Sequence, residues 1–134
     1  MIGEIHVPIG SDTDILAARQ SGRNLAAEQG FSLTDLVMVA TSISELARNI
    51  VLYATKGEIV LSVAINDRGK RGIVVVARDE GPGIRDVKQA MQSGFSTSGS
   101  LGLGLPGVRR LMDDFQIVSE VGKGTIVTAK KWNR

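Results

Sequence analysis

The residues best suited to chemistry cluster in three short stretches. The first is Val74–Ile84, V-V-V-A-R-D-E-G-P-G-I, in which a β-branched apolar run ends in the carboxylate of Asp79. Gly81 and Gly83 then flank a proline, so the main chain can turn sharply or approach a ligand closely. Strand ends followed by glycine-rich turns are frequent ligand sites, although D-x-G-x-G taken alone is also an ordinary turn. The second stretch carries Glu45 and Asn49, four residues apart and so on one face of a helix. They flank the apolar stripe of that helix and belong at the rim of a cleft; taken alone, they fit somewhat better a tolerated surface asparagine and a glutamate paired with Arg48 or another exposed base. The third is Ser93–Ser100, small, polar and long enough to act as a lid, followed by L-G-L-G-L-P-G at 101–107.

That last segment contains a literal G-x-G-x-x-G at Gly102, Gly104 and Gly107. A dinucleotide fingerprint needs a strand before it and a long βαβ continuation after it, and neither is present. What remains is a glycine-rich turn feeding a helix, expected over Val108–Phe115, whose first amides could face phosphate. Gly122-Lys123-Gly124-Thr125 reads as a tight hairpin between strands and not as a phosphate-binding loop, because the earlier glycine and the following helix are missing.

The elements that must position these residues follow from periodicity. Ile2–Ile9 alternates weakly and ends at Pro8-Ile9-Gly10, an edge strand. Ser11–Asp14 supplies N-cap candidates for a helix that stops at Gly30. Ser32–Asp35 opens a second helix with Leu36, Val39, Ala40, Ile43, Leu46, Ala47, Ile50 and Val51 at spacings of three and four, running to about Ala54. Strands are expected near 58–66, 73–78, 116–121 and 125–132, with a polar turn at Asn66–Gly72 and a short helix within Ile84–Gln92. The fold class is therefore α/β (α+β): a two-layer sandwich of a mixed, mostly antiparallel sheet with helices on one face.

Composition narrows the function. The 134 residues are 43% apolar and 22% charged, the balance of one globular domain spanning 1–134. No cysteine is present, so disulfides, thiolate nucleophiles and cysteine-bound metals are excluded, which fits a reducing compartment. The one histidine, His6, has no second imidazole near it and reads as an exposed strand position. A net charge of +2 and only 4% aromatic residues argue against nucleic acid, and Lys130, Lys131 and Arg134 read as a solvated basic tail. No apolar run of membrane-spanning length and no signal core stand out, so the expected location is cytoplasmic.

In order and chemistry the three stretches resemble the ATP-binding fold of the GHKL superfamily, which includes gyrase, histidine kinases and MutL. S-E-L-A-R-N, D-E-G-P-G-I and F-S-T-S-G-S-L-G-L-G-L-P-G-V-R-R-L-M-D look more specifically like the RsbT-type serine/threonine switch kinases of bacterial partner-switching and stressosome modules. The likeness covers essentially the whole chain. It implies ATP and Mg²⁺ as cofactors, with Asp79 accepting the adenine amino group and Gly81 and Gly83 leaving room for the base and a water. It implies that Asn49 gives its amide oxygen to Mg²⁺, and that phosphates lie near Gly99, Gly102 and Gly104. Further nucleotide contacts are implied at Ile84, Ser100, Leu101, Leu103 and Thr125. Glu45 is the implied general base toward a serine or threonine hydroxyl. Implied partners are STAS-domain substrate proteins and the regulatory region of a PP2C-type phosphatase, with an anti-sigma-factor-like sequestering module as the alternative. Histidine-kinase relatives commonly have a lysine three residues after the asparagine; Leu52 stands there, and no phosphoacceptor histidine hairpin is present.

Overall fold

A computed structural model of the chain describes residues 3–91 and 104–133. The elements run β1 (Ile5–Ile9), α1 (Asp12–Glu28), α2 (Leu33–Tyr53), β2 (Gly57–Ile65), β3 (Arg71–Asp79), α3 (Val87–Ala90), α4 (Gly104–Leu111), β4 (Asp114–Glu120) and β5 (Gly124–Trp132). The five strands form one sheet in the order β1-β2-β3-β5-β4. Every pairing among them is antiparallel, so the parallel component allowed by a mixed sheet is not needed. Alternation puts Val7, Ile59, Leu61, Ile73, Val75, Val127 and Ala129 against the helices. The two-layer sandwich expected from the sequence is what forms.

α2 is the axis of the helical layer. Its start is set by Ser32, whose Oγ accepts the Asp35 amide at 3.2 Å. Val39, Ile43, Leu46 and Ile50 are buried on the sheet side, and α1 and α4 pack on its two flanks. The most apolar 18-residue window of α2 has a mean hydropathy of 1.3, and the 21-residue helix meets the length and apolarity of a membrane span. The expectation that no such run exists is corrected here: α2 is the core helix of the sandwich, and core helices pass the same test.

Two expectations about the C-terminal part change. α4 begins at Gly104 instead of Val108, and β4 begins at Asp114. Pro106 lies in the first turn of α4, where an amide hydrogen has no intrahelical acceptor, so proline is tolerated. Nor are Lys130 and Lys131 part of a solvated tail, since both lie in β5; Arg134 lies outside the described residues. Lys131 lies in β5 with its side chain only 12% exposed, donates from Nζ to the Leu111 carbonyl at 2.9 Å, and faces Asp113 and Asp35 at 3.9 and 4.0 Å. It caps α4 and ties it to the start of α2.

The sheet face away from the helices is open. There Glu58 accepts from Arg78 and lies 3.1 Å from His6 Nδ1, while His6 Nε2 is 3.2 Å from Glu4. The Glu58 bond, then the Glu4 bond, raise the His6 pKa above 6.5. Arg78, then His6, lower that of Glu58 below 4.5. A raised histidine contributes stability that is full below its unfolded value and lost as pH rises through the folded one. A depressed glutamate contributes above its unfolded value and loses it as pH falls. Both contributions therefore coexist between about pH 4.5 and 6.5, and both are small because the cluster faces water. In proton NMR the His6 ring is expected to titrate above 6.5, and Glu58→Gln to move it down; an unmoved midpoint would contradict the pairing.

Candidate active site

β3 ends at Asp79, whose Cα pairs with Gly57 on one side and Thr125 on the other, so the carboxylate stands at the end of the central strand on the helix side. Its Oδ1 accepts the Gly81 amide at 2.9 Å. Oδ2 has no partner among the described residues and is left to accept from a ligand.

The glycines after Asp79 serve close approach, but mainly to protein. A Cβ on Gly81 would lie 2.6 Å from Ala54 Cβ and 2.9 Å from Ala54 Cα, at the end of α2. Gly83 has φ +78°, and a Cβ there would press into the Glu120 carbonyl of the β4–β5 hairpin. The hairpin is bonded to the same loop: the Gly122 amide donates to the Pro82 carbonyl at 2.8 Å and the Ile84 amide to Ser119 Oγ at 2.7 Å. Ser119 Oγ also lies 2.8 Å from Thr125 Oγ1 and so orients that hydroxyl. Gly83→Ala should cost about 2–4 kcal/mol, from left-handed strain plus the clash, read as a lower urea midpoint at unchanged slope. An unchanged midpoint would mean that the loop is not held against the hairpin.

These elements enclose a cleft of about 290 Å³ between the helical layer and the sheet. Leu46, Ile50, Ala77, Leu105 and Val127 make its walls apolar, and Asn49, Tyr53, Asp79 and Thr125 bring polar groups to it. Apolar walls with a few convergent polar groups are the usual build of a small-molecule site. Of the residues expected at a nucleotide, the structure brings Asn49, Asp79, Gly83, Ile84, Gly104 and Thr125 to this one cleft. Gly81 acts behind it, through Asp79. Glu45 does not line it: the residue is 7% exposed, one turn of α2 before Asn49. Gly99, Ser100, Leu101, Gly102 and Leu103 lie outside the described residues.

Sequence reasoning misses Tyr53, one turn beyond Asn49, and Ser119, which holds Thr125 and the loop together. Tyr53 carries a readable signal, since it repeats the four-residue step from Glu45 to Asn49. Ser119 becomes visible only once the hairpin register opposite Thr125 is known.

The fit of a divalent cation can be tested on the donor set. Among the described residues no group of three or more histidine, aspartate or glutamate side chains could hold a metal alone. A half-buried Asn49 amide in the cleft wall instead suits Mg²⁺, which takes few protein oxygens and completes its shell with phosphate and water.

A cleft between a helical layer and an antiparallel sheet, with a strand-end aspartate and a helix asparagine in its wall, has the build of a small-molecule site. The model of the histidine kinase-like ATPase domain family matches residues 11–131, and the chain belongs to that family. It is 55% identical over 128 residues to the serine/threonine-protein kinase RsbT of Bacillus subtilis (strain 168), covering 96% of both chains. With that identity over nearly the full length of each, the enzyme class is that of a serine/threonine kinase. An anti-sigma F factor of Heyndrickxia coagulans is 34% identical over 75% of this chain and 71% of its own. Among solved structures, the RsbU and RsbW domains of Mycobacterium tuberculosis Rv1364c share the fold, with a TM-score of 0.64 at 23% identity. That match covers 99% of this chain and 33% of the longer one.

Proposed function

We propose that this kinase transfers the γ-phosphoryl group of ATP to a serine or threonine hydroxyl on a STAS-domain antagonist protein. In the same reading, phosphorylating that partner frees the kinase to engage the regulatory region of a PP2C-type phosphatase, in a cytoplasmic stress-signalling cascade. The observation that carries the nucleotide assignment is the convergence of Asn49, Asp79, Gly83, Ile84, Gly104 and Thr125, from separate parts of the chain, on one cleft.

Each side chain has a defined task. Asp79, with Oδ1 held by Gly81, offers Oδ2 to the adenine amino group. Ser119 sets the Thr125 hydroxyl beside the base. The N-terminal amides of α4 carry a positive partial charge toward the phosphates. Asn49 is the residue that would hold Mg²⁺, which, when bound, neutralises charge on the phosphate oxygens. Glu45 takes the proton of the acceptor hydroxyl as its oxygen bonds to the γ-phosphorus, while the bond to the β-phosphate oxygen breaks and ADP leaves.

A second reading, a nucleotide-dependent sequestering module of the anti-sigma kind with little turnover, is favoured by one observation: Glu45 is buried outside the cleft. Incubation with γ-labelled ATP, Mg²⁺ and purified STAS-domain proteins, followed by mapping of the label, separates the two. A labelled serine or threonine supports the kinase; tight partner binding with ATP and no label supports sequestration. Steady phosphate release without a partner would point to an ATPase.

A further inference from the structure

We propose that the outward ridge of α2 is the surface on which the phosphoacceptor protein docks, a reading that rests on Glu45 as the base. Leu33, Val37, Thr41, Ser44, Arg48 and Leu52 follow one another at steps of three and four and so form one continuous ridge. Among the described residues, the packing of α1, α4 and the sheet leaves Leu33, Val37, Arg48 and Leu52 exposed, with Thr41 and Ser44 half-buried between them; Leu52 is 50% exposed. Three large apolar side chains on the ridge, Leu33, Val37 and Leu52, stand in the open. An apolar stripe left open on a core helix marks a contact surface.

Position identifies what lands there. Glu45 adjoins the ridge, at i+4 from Thr41, i−3 from Arg48 and i−7 from Leu52. Asn49, the next residue on that flank, faces the nucleotide cleft, whereas Glu45 does not. In phosphoryl transfer the attacking and leaving oxygens stand roughly in line on opposite sides of phosphorus. With ADP leaving into the cleft, the acceptor oxygen arrives from beyond Asn49, where Glu45 meets the ridge.

Charge narrows the chemistry of the partner. Arg48 is the single charge on the ridge, it is exposed, and no carboxylate among the described residues pairs with it. The occupant is therefore a protein surface presenting its hydroxyl to Glu45, a carboxylate to Arg48 and apolar side chains to Val37 and Leu52. Arginine is among the usual anchors of such contacts.

The test uses the full chain and a purified STAS-domain protein that the wild-type kinase labels. Arg48→Glu and Leu52→Asp are each expected to raise KM for the acceptor about tenfold or more, with ATP affinity and the melting temperature unchanged and kcat within about threefold. Added salt should raise the wild-type KM and lower that of Arg48→Glu, in which two like charges face each other. Wild-type KM values in both variants would overturn the ridge as the docking surface while leaving the kinase intact. If the wild-type chain binds ATP and labels no STAS protein, the kinase reading itself fails and the ridge assignment falls with it.

Discussion

Glu45→Gln is expected to slow phosphoryl transfer by about 10²–10⁴-fold while ATP binds with unchanged affinity. The substitution keeps the size of a residue that is 7% exposed, so packing around α2 is preserved; what disappears is a group able to take a proton. A serine hydroxyl holds its proton at neutral pH, and an uncharged amide cannot accept it. Because Glu45 lies outside the cleft wall, the loss should fall on kcat and spare the nucleotide dissociation constant. Single-turnover transfer with saturating ATP and acceptor is the measurement. A rate within a few-fold of wild type would remove Glu45 from the chemistry.

Asp79→Asn should weaken ATP binding about 100-fold, the loss of one hydrogen bond to a charged acceptor plus the cost of a mismatched donor. The amide oxygen of the substituted side chain can still take the Gly81 amide, so the loop should keep its shape. The amide nitrogen then faces the amino group of adenine, donor against donor, in a cleft whose walls are largely apolar. GTP, which carries a carbonyl oxygen at that ring position, should lose less or gain. Isothermal titration with both nucleotides checks this. Equal affinity of wild type and variant for ATP would mean that the base lies elsewhere.

Much of this is legible in the residues. The α2 stripe and its Ser32 cap are local features, and local periodicity and capping survive without knowledge of the fold. The strands read correctly from alternation, but their order does not, because placing β5 between β3 and β4 is a long-range choice. The start of α4 reads late because glycine and proline speak for turns, whereas a proline in a first turn breaks no bond. Lys131 looks like a tail residue because its partners, Leu111, Asp113 and Asp35, are brought to it only by the assembled sandwich. At the site, Asn49 and Asp79 can be picked out from the chain alone. Glu45 reads as a cleft-rim residue and is instead nearly buried beside it. The holding role of Ser119 is hidden in the hairpin register.

The Gly72–Trp132 pair on the open face has a practical consequence. The single tryptophan of the chain lies over Gly72, and its indole nitrogen donates to Asp114 at 2.9 Å. Asp79 is farther along the same strand as Gly72, roughly 23 Å away at the usual rise per residue. Emission from this indole is thus an intrinsic gauge of whether the sheet is folded and is nearly blind to what fills the cleft. Tyr53, in the cleft wall, is the complementary probe. With two fluorophores of different colour at the two ends of the molecule, one cuvette can separate loss of ligand from loss of structure.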